Sequence, residues 1–263
     1  MKACFLAAGR GSRLKADDLP KPLWEIGGGV SILERQIQLL QSFGVSDIAV
    51  VIGWRKEFVR ERLGHTGVTF VENTHPDISE SGTSHSFQFA ACSEFDPLDG
   101  SAPCLLFDAD LVYERAVLAT VLNDETPGSR LLVSPNINED AEEVRVYDAA
   151  GTPKLIGKGL RSPMTDGLNL TGEATGIVRF EPEDHALVRG ALDWLVGRGD
   201  RRAYGYSGIA SEHEELAQYL MNLGRLGAIK FAPELLFMEA DFAEDFERVR
   251  NDLYPRILQK DGS

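Results

Sequence analysis

The stretch Leu6-Ala7-Ala8-Gly9-Arg10-Gly11-Ser12-Arg13-Leu14-Lys15, continued by Pro20-Lys21-Pro22, decides how the chain is read. It places a glycine turn and a run of cations directly after the apolar segment Lys2 to Ala7, which has the pattern of a buried strand. Gly9 and Gly11 lack a Cβ, so the backbone there can turn sharply and present N–H groups to phosphate oxygens. Arg13 adds a fork-shaped donor for phosphate, and Lys21 a point charge held between two rigid prolines. The pattern is neither the dinucleotide fingerprint nor the GxxxxGK[ST] phosphate loop.

Charge supports a local anion site. Residues 1–21 carry Lys2, Arg10, Arg13, Lys15 and Lys21 against Asp17 and Asp18, a net of +3 in a chain of 263 residues whose total is −14. A basic island in an acidic protein fits a small anionic ligand, whereas nucleic acid or an anionic membrane calls for a broad basic face. No nucleic-acid or membrane partner is therefore expected. A solvated basic loop is the plain alternative.

Beyond the loop, residues 2 to about 122 alternate strand and helix, which predicts an α/β fold with a mostly parallel sheet. The strands read as Lys2 to Ala7, Asp47 to Gly53, Val68 to Glu72 and Cys104 to Asp108. Between the first two, Ser31 and Glu34 form a capping box, apolar residues follow at helical spacing, and Gly44 is the stop. Further helices are expected at Arg55 to Leu63, Thr83 to Glu94 and Glu114 to Leu122. More than twenty residues without a clear element separate the first strand from its helix, far above the usual connection of about 2 to 6, and such loops are commonly functional. This one begins at the carboxyl end of a strand, where ligands sit in open α/β sheets.

After residue 128 short strands dominate, at Leu131 to Pro135, Val144 to Asp148, Lys154 to Lys158 and Glu173 to Phe180, with a hairpin turn at Asp148 to Gly151. Helices at Pro182 to Val196 and Glu212 to Leu223, strands at Ala228 to Ala232 and Leu235 to Glu239, and a last helix from about Phe242 complete the chain, with Pro255 bending or restarting that helix. The length fits one domain of two halves, 1–125 and 126–263. Cys4, Cys92 and Cys104 show no metal spacing and read as reduced core thiols. With no signal-type or membrane-spanning apolar run, a cytoplasmic location is expected. A homodimer is compatible with the sequence.

Two acidic segments complete the set. Asp108 and Asp110, at the end of an apolar strand, point the same way if the strand continues and could reach one divalent cation; a polar turn explains the pair equally well. Asp241, in Glu239-Ala240-Asp241, is either a second metal ligand or the N-cap of the last helix.

The 6–13 segment together with Lys21-Pro22 resembles the signature of the nucleotidyltransferase superfamily, sugar-phosphate nucleotidyltransferase-like enzymes that join a nucleoside triphosphate to a phosphorylated small molecule and release pyrophosphate. The resemblance implies a Rossmann-like mixed sheet of the nucleotide-diphospho-sugar transferase type, with the acceptor bound by the C-terminal part. It further implies that Leu6, Ala7, Ala8, Gly9, Arg10, Gly11, Ser12, Gly82, Thr83 and Asp108 bind the nucleotide, and that Arg13 and Lys21 act on the phosphates. Asp110 and Asp241 would hold Mg2+. His85, Lys158 and Glu173 would shape the acceptor pocket, although His85 reads equally as a plain helix residue, and a core salt bridge or solvated rim would account for the other two. The Gly172-Glu173-Ala-Thr-Gly176-Ile177 run and the acidic start of the Glu212 helix are similar to the phosphocholine and phosphonate cytidylyltransferase branch. CTP and a phosphocholine- or aminoethylphosphonate-like acceptor are the implied substrates. The alternatives are a sugar-1-phosphate or inositol-phosphate nucleotidyltransferase using another triphosphate, and a glycosyltransferase using the DxD pair.

Overall fold

The computed structural model describes residues 1–11, 19–137, 143–197 and 211–262. The apolar run that opens the chain is β1 (Lys2–Ala7), and its alternating side chains divide between two cores. Cys4 and Leu6 face one core and Ala3, Phe5 and Ala7 the other, so the strand is covered on both sides, as parallel strands require. A short hairpin, β2 (Glu25–Gly27) with β3 (Val30–Ser31), then leads into α1 (Ile32–Ser42). The expected capping box is present: Ser31 accepts from the Glu34 N–H and Glu34 from the Ser31 N–H, while Gly44 takes the left-handed φ of 82° beyond the helix.

The alternation continues through β4 (Asp47–Ile52), α2 (Lys56–Leu63), β5 (Thr69–Glu72), α3 (Thr83–Ala91) and β6 (Cys104–Asp108). These strands lie side by side in parallel, in the order β6-β1-β4-β5. β7 (Leu111–Tyr113) and α4 (Arg115–Leu122) follow, and then the strand-rich half: β8 (Ser129–Ser134), β9 (Arg145–Ala149), β10 (Thr152–Gly157) and the twelve-residue β11 (Asn169–Phe180). β11 runs antiparallel to β6 and so extends the same sheet, with β9 and β8 pairing to it in turn. One continuous mixed sheet therefore joins the two halves.

Helices α1, α2 and α4 cover one face of this sheet; α3, α5 (His185–Val196) and α6 (His213–Asn222) cover the other. β12 (Leu226–Lys230) pairs with β8 at an edge, and β13 (Phe237–Glu239) pairs antiparallel with β7. The chain closes with α7 (Ala243–Arg248), a π-helical turn at Val249–Leu253 and α8 (Tyr254–Asp261), with Pro255 in the first turn of α8. The expected interruption at Pro255 is thus taken up by one widened turn. Ile257, Leu253 and Phe246 of this arm form a third apolar cluster with Ile26 and Val112.

Two readings need correction. Cys4 and Cys104 are buried thiols, with burial pushing Cys4 up to about 12, but Cys92 is exposed at the end of α3. The segment after the first strand is less bare than its composition suggests, since it contains a 3-10 turn at Lys21–Leu23 and the β2-β3 hairpin. Among the described residues, no helix is long and apolar enough to cross a membrane.

Candidate functional site

Leu6 of β1 lies in register with Asp108 of β6, so both strands end at the same rim of the sheet. A cleft of about 700 Å3 opens there, lined by residues 6–9, Gly11, Lys21, Ser81 to Thr83, Asp108, Asp110 and Lys158. Its position is the carboxyl edge of parallel strands, where α/β sheets bind ligands. A second cavity of about 630 Å3 adjoins it and is lined by Glu173, Gly176, Lys158, Glu214 and the segment 233–239.

Gly11 has a φ of +62°, and a methyl group on it would stand 3.1 Å from the Lys21 Cβ, so this glycine allows the lysine to fold back against the turn. Lys21 itself starts the 3-10 turn between Pro20 and Pro22, which fix its backbone and aim its side chain into the cleft. Its Nζ donates to Asp110 Oδ2 at 2.6 Å and to Asp241 Oδ1 at 2.5 Å. The second of these contacts spans 220 residues of sequence. The pairing of β13 with β7 makes it possible, because the register Leu111 to Glu239 delivers residues 239–241 beside Asp110, and the Ala240 N–H donates to the Asp110 carbonyl at 3.1 Å.

Asp110, Glu239 and Asp241 each offer a carboxylate oxygen, all within 4.8 Å of one another. Three hard oxygen donors suit Mg2+ or a similar cation. Asp110 Oδ1 is buried and, among the described residues, accepts no hydrogen bond, so this acceptor is left to a ligand. The residues therefore fit such an ion. Asp241 does not cap the last helix: Phe242 occupies the N-cap position, and the Asp245 carboxylate accepts from the N–H groups of Asp241 and Phe242. Crowding of like charge shows in the proton affinities. Glu239, although exposed as a residue, is held above the usual carboxylate range by desolvation at the cluster and then by Asp110 and Asp241. For Lys21, burial works against the charge, but the three carboxylates outweigh it and hold the ammonium well above the ordinary lysine value.

Asp108 is enclosed on the other side of the same rim, and burial, followed by repulsion from Asp110, Glu214 and Glu212, pushes it up to about 7 against the pull of His213. His213 Nε2 lies 3.6 Å from Asp108 Oδ2, and its Nδ1 lies 3.5 Å from Glu214 Oε2. Burial favours the neutral ring, yet Asp108 and Glu214 overcome it and raise the imidazole above its ordinary value. Gly82 is the N-cap of α3 and has no side chain to cap with; Glu212 supplies the missing group, accepting from the Thr83 N–H at 3.0 Å and from Thr83 Oγ1 at 2.7 Å. An anion at a helix N-terminus is favourable, and here it fastens α6 to the segment expected to grip the base.

Of the residues expected from sequence, Leu6, Ala7, Ala8, Gly9, Gly11, Lys21, Gly82, Thr83 and Asp110 line the first cleft, Asp108, Asp241 and Lys158 line both, and Glu173 lines the second. Ser12 and Arg13 lie outside the described residues. Arg10 is drawn over the Trp54 ring, 5.9 Å from its centroid, and His85 packs edge-on to His75 at 5.2 Å; neither lines the two cavities. Glu239, Glu212, His213 and Glu214 join the site without having been assigned to it. Glu239 was detectable as the i,i+2 partner of Asp241 at a strand end, whereas the other three carried no signal beyond an acidic helix start.

A model of the MobA-like NTP transferase domain matches residues 3–179. The bifunctional protein GlmU of Gloeobacter violaceus is 34% identical over 117 residues, 44% of this chain and 24% of that protein. CMP-5'-(3-aminopropyl)phosphonate synthase of Streptomyces rubellomurinus is 31% identical over 156 residues, 58% of this chain and 22% of that protein. The matched part of this chain thus spans less than a quarter of either relative. The structure of the inositol-1-phosphate CTP transferase from T. maritima superposes with a TM-score of 0.71 at 20% identity, covering 98% of this chain and 96% of that one. That likeness is one of fold, and it agrees with the mixed sheet flanked by helices expected from the opening loop.

Proposed function

The chain belongs to the MobA-like NTP transferase family, and from that premise we propose that it is a CTP-dependent cytidylyltransferase, joining CMP to a small phosphate or phosphonate and releasing pyrophosphate. The observation that carries the reading is the convergence of the glycine turn, Lys21 and the Asp110–Asp241 pair at one strand edge. A clamp for a triphosphate and an acidic trio for a cation are what nucleotidyl transfer needs, and a sugar transferase has no triphosphate to clamp. The 1–125 half carries the nucleotide and the 126–263 half the acceptor, with residues 157–159, 212–214 and 239–241 reaching across the seam.

The acceptor oxygen attacks the α phosphorus in line; the new O–P bond forms as the bond to the pyrophosphate oxygen breaks. A phosphate or phosphonate acceptor is already largely dianionic near neutral pH, with a second pKa of about 6 for a phosphate ester, so no general base is required. The difficulty is repulsion between two anions. Lys21 offsets charge at the α phosphate, Arg13 is assigned to the β and γ phosphates, and residues 6–9 with Gly82 and Thr83 hold the nucleoside. Mg2+ held by Asp110, Asp241 and Glu239 would supply further neutralisation of phosphate charge.

The lining of the second cavity supports an acceptor with a positively charged end. Nine carboxylates line it against three lysines and arginines, a surface that favours an ammonium group over an uncharged sugar ring. Lys158 is the cation at the seam and would meet the acceptor phosphoryl group, with Glu173 deeper in the cavity. Pyrophosphate release from each of the four ribonucleoside triphosphates, tested with phosphocholine, aminoalkylphosphonates, inositol phosphates and sugar 1-phosphates, decides the matter. CTP with an amine-bearing acceptor is expected to be fastest. Turnover confined to sugar 1-phosphates with another triphosphate would replace this reading with the sugar-nucleotide one, which the GlmU similarity favours.

A further inference from the structure

Lys21 and a divalent cation compete for the same two carboxylates. The ammonium lies within hydrogen-bond distance of Asp110 Oδ2 and Asp241 Oδ1, and both carboxylates belong to the trio whose oxygens converge within 4.8 Å. An ammonium and a divalent ion cannot both sit against these two oxygens, because two cations a few ångströms apart repel strongly in a partly desolvated site. Asp110 Oδ1, buried and accepting no hydrogen bond among the described residues, is an acceptor that Lys21 does not satisfy. Among the described residues, the ammonium therefore occupies two of the three carboxylates and leaves an acceptor for a further cation.

Removing Lys21 from it is costly unless another anion receives the ammonium. Its side chain is only 10% exposed, and withdrawing a nearly buried cation from its partners leaves an uncompensated charge. A triphosphate on the glycine turn is such an anion. Gly11 lies so close to Lys21 that a methyl group on the glycine would stand 3.1 Å from the Lys21 Cβ, so rotation about the flexible lysine stem carries the ammonium from the carboxylates to the turn without moving the backbone.

We propose that Lys21 is the resident counter-ion of the Asp110–Asp241 pair and changes partners when nucleotide arrives, so that a divalent cation binds poorly alone and well together with the triphosphate. Metal and nucleotide are then coupled through one side chain, and the coupling is reciprocal by linkage. The inference rests on the cleft being a metal and triphosphate site, but its test does not depend on turnover or on the acceptor.

The probe is Mn2+ alone, titrated into the full-length protein and followed by the electron paramagnetic resonance signal of the free ion. Lys21→Met is expected to bind Mn2+ about tenfold more tightly than wild type without nucleotide, the scale of losing one partly screened competing charge. In equilibrium dialysis with labelled CTP and saturating Mn2+, the same variant is expected to bind nucleotide about tenfold more weakly. Asp241→Asn serves as the control and should lose Mn2+ binding in both backgrounds. Circular dichroism checks that each variant is folded, with Lys21→Gln taking over if Lys21→Met is not. If Lys21→Met binds Mn2+ no more tightly than wild type while Asp241→Asn loses it, the counter-ion role is overturned and the metal site stands. If Asp241→Asn changes nothing, the metal site falls as well. Absence of pyrophosphate release with every acceptor would count against the proposed reaction alone, since the Mn2+ titration still decides the role of Lys21.

Discussion

Gly176 of β11 and Asp108 of β6 are packed so closely that a methyl group on the glycine would stand 2.2 Å from Asp108 Oδ2. Gly176 has a φ of +72°, and the register of β11 against β8 shifts between Ala174 and Val178, so the strand bulges at this point. The bulge makes room for the carboxylate at the cleft rim, where it meets His213. Gly176→Ala is expected to cost about 2 kcal/mol of stability through the combined clash and left-handed backbone, and to weaken nucleotide binding. Urea denaturation and CTP titration read the two effects; an unchanged denaturation midpoint would show that β11 can absorb the methyl group.

Lys21→Ala is expected to lower turnover about a hundredfold at saturating substrates, the usual cost of removing one charge-stabilising donor from a reacting centre. The Michaelis constant for CTP should move much less. Near wild-type turnover would remove Lys21 from the reaction.

Asp110→Ala should abolish magnesium-dependent pyrophosphate release while leaving the far-ultraviolet circular dichroism spectrum unchanged, since Asp110 lies in a turn outside the core clusters. Glu239→Gln should raise the magnesium concentration needed for half-maximal activity by about tenfold, because it removes one of three charged donors. An unaltered magnesium requirement in Glu239→Gln would restrict the donor set to the two aspartates.

Glu212→Ala removes, from a position 129 residues away, the side-chain acceptor that caps the N-terminus of α3 among the described residues. A lost cap of this kind costs about 1 kcal/mol, and here the cost falls on the Gly82-Thr83 segment. The Michaelis constant for CTP is expected to rise about fivefold with turnover at saturation nearly preserved. Loss of turnover without a change in that constant would place Glu212 on the acceptor side instead.

Glu34 links pH to stability. Burial would raise its carboxyl, but hydrogen bonds from the Ser31 N–H and hydroxyl and the Arg62 guanidinium prevail and hold it below its ordinary value of 4.5. A group depressed in the folded state stabilises fully above that ordinary value and ceases to do so as pH falls through the folded one. Glu34→Gln keeps the capping geometry and loses the charge. It should therefore be less stable than wild type at pH 7 by about 1 kcal/mol, the two proteins converging as the pH is lowered beneath about 4.5. A gap that stays constant with pH would show that the ion pair contributes nothing.

The fold was legible wherever its determinants are local. β1 and β6 run between the residues expected, because each is a short continuous apolar stretch buried on both faces. The capping box and Gly44 delimit α1 through hydrogen bonds within three residues and one backbone dihedral. β2, β3 and β7 were not legible, since strands of two or three residues carry too few side chains to show a period. Cys92 was misplaced for a related reason: it belongs to an apolar helix but follows the last buried turn.

The sequence by itself determined the glycine-turn side of the cleft, because a strand, a glycine turn, an arginine and one proline-held lysine act over about twenty consecutive residues and their chemistry survives without knowledge of the rest. Only the tertiary structure decided how the acidic residues are shared. The two-stranded pairing of β7 with β13 brings Glu239 and Asp241 to Asp110, and Lys21 reaches across 220 residues to bind two of the three carboxylates. Charge proximity at that range depends on strand register and on the folding back of Lys21 against Gly11, neither of which leaves a period or a motif in the chain.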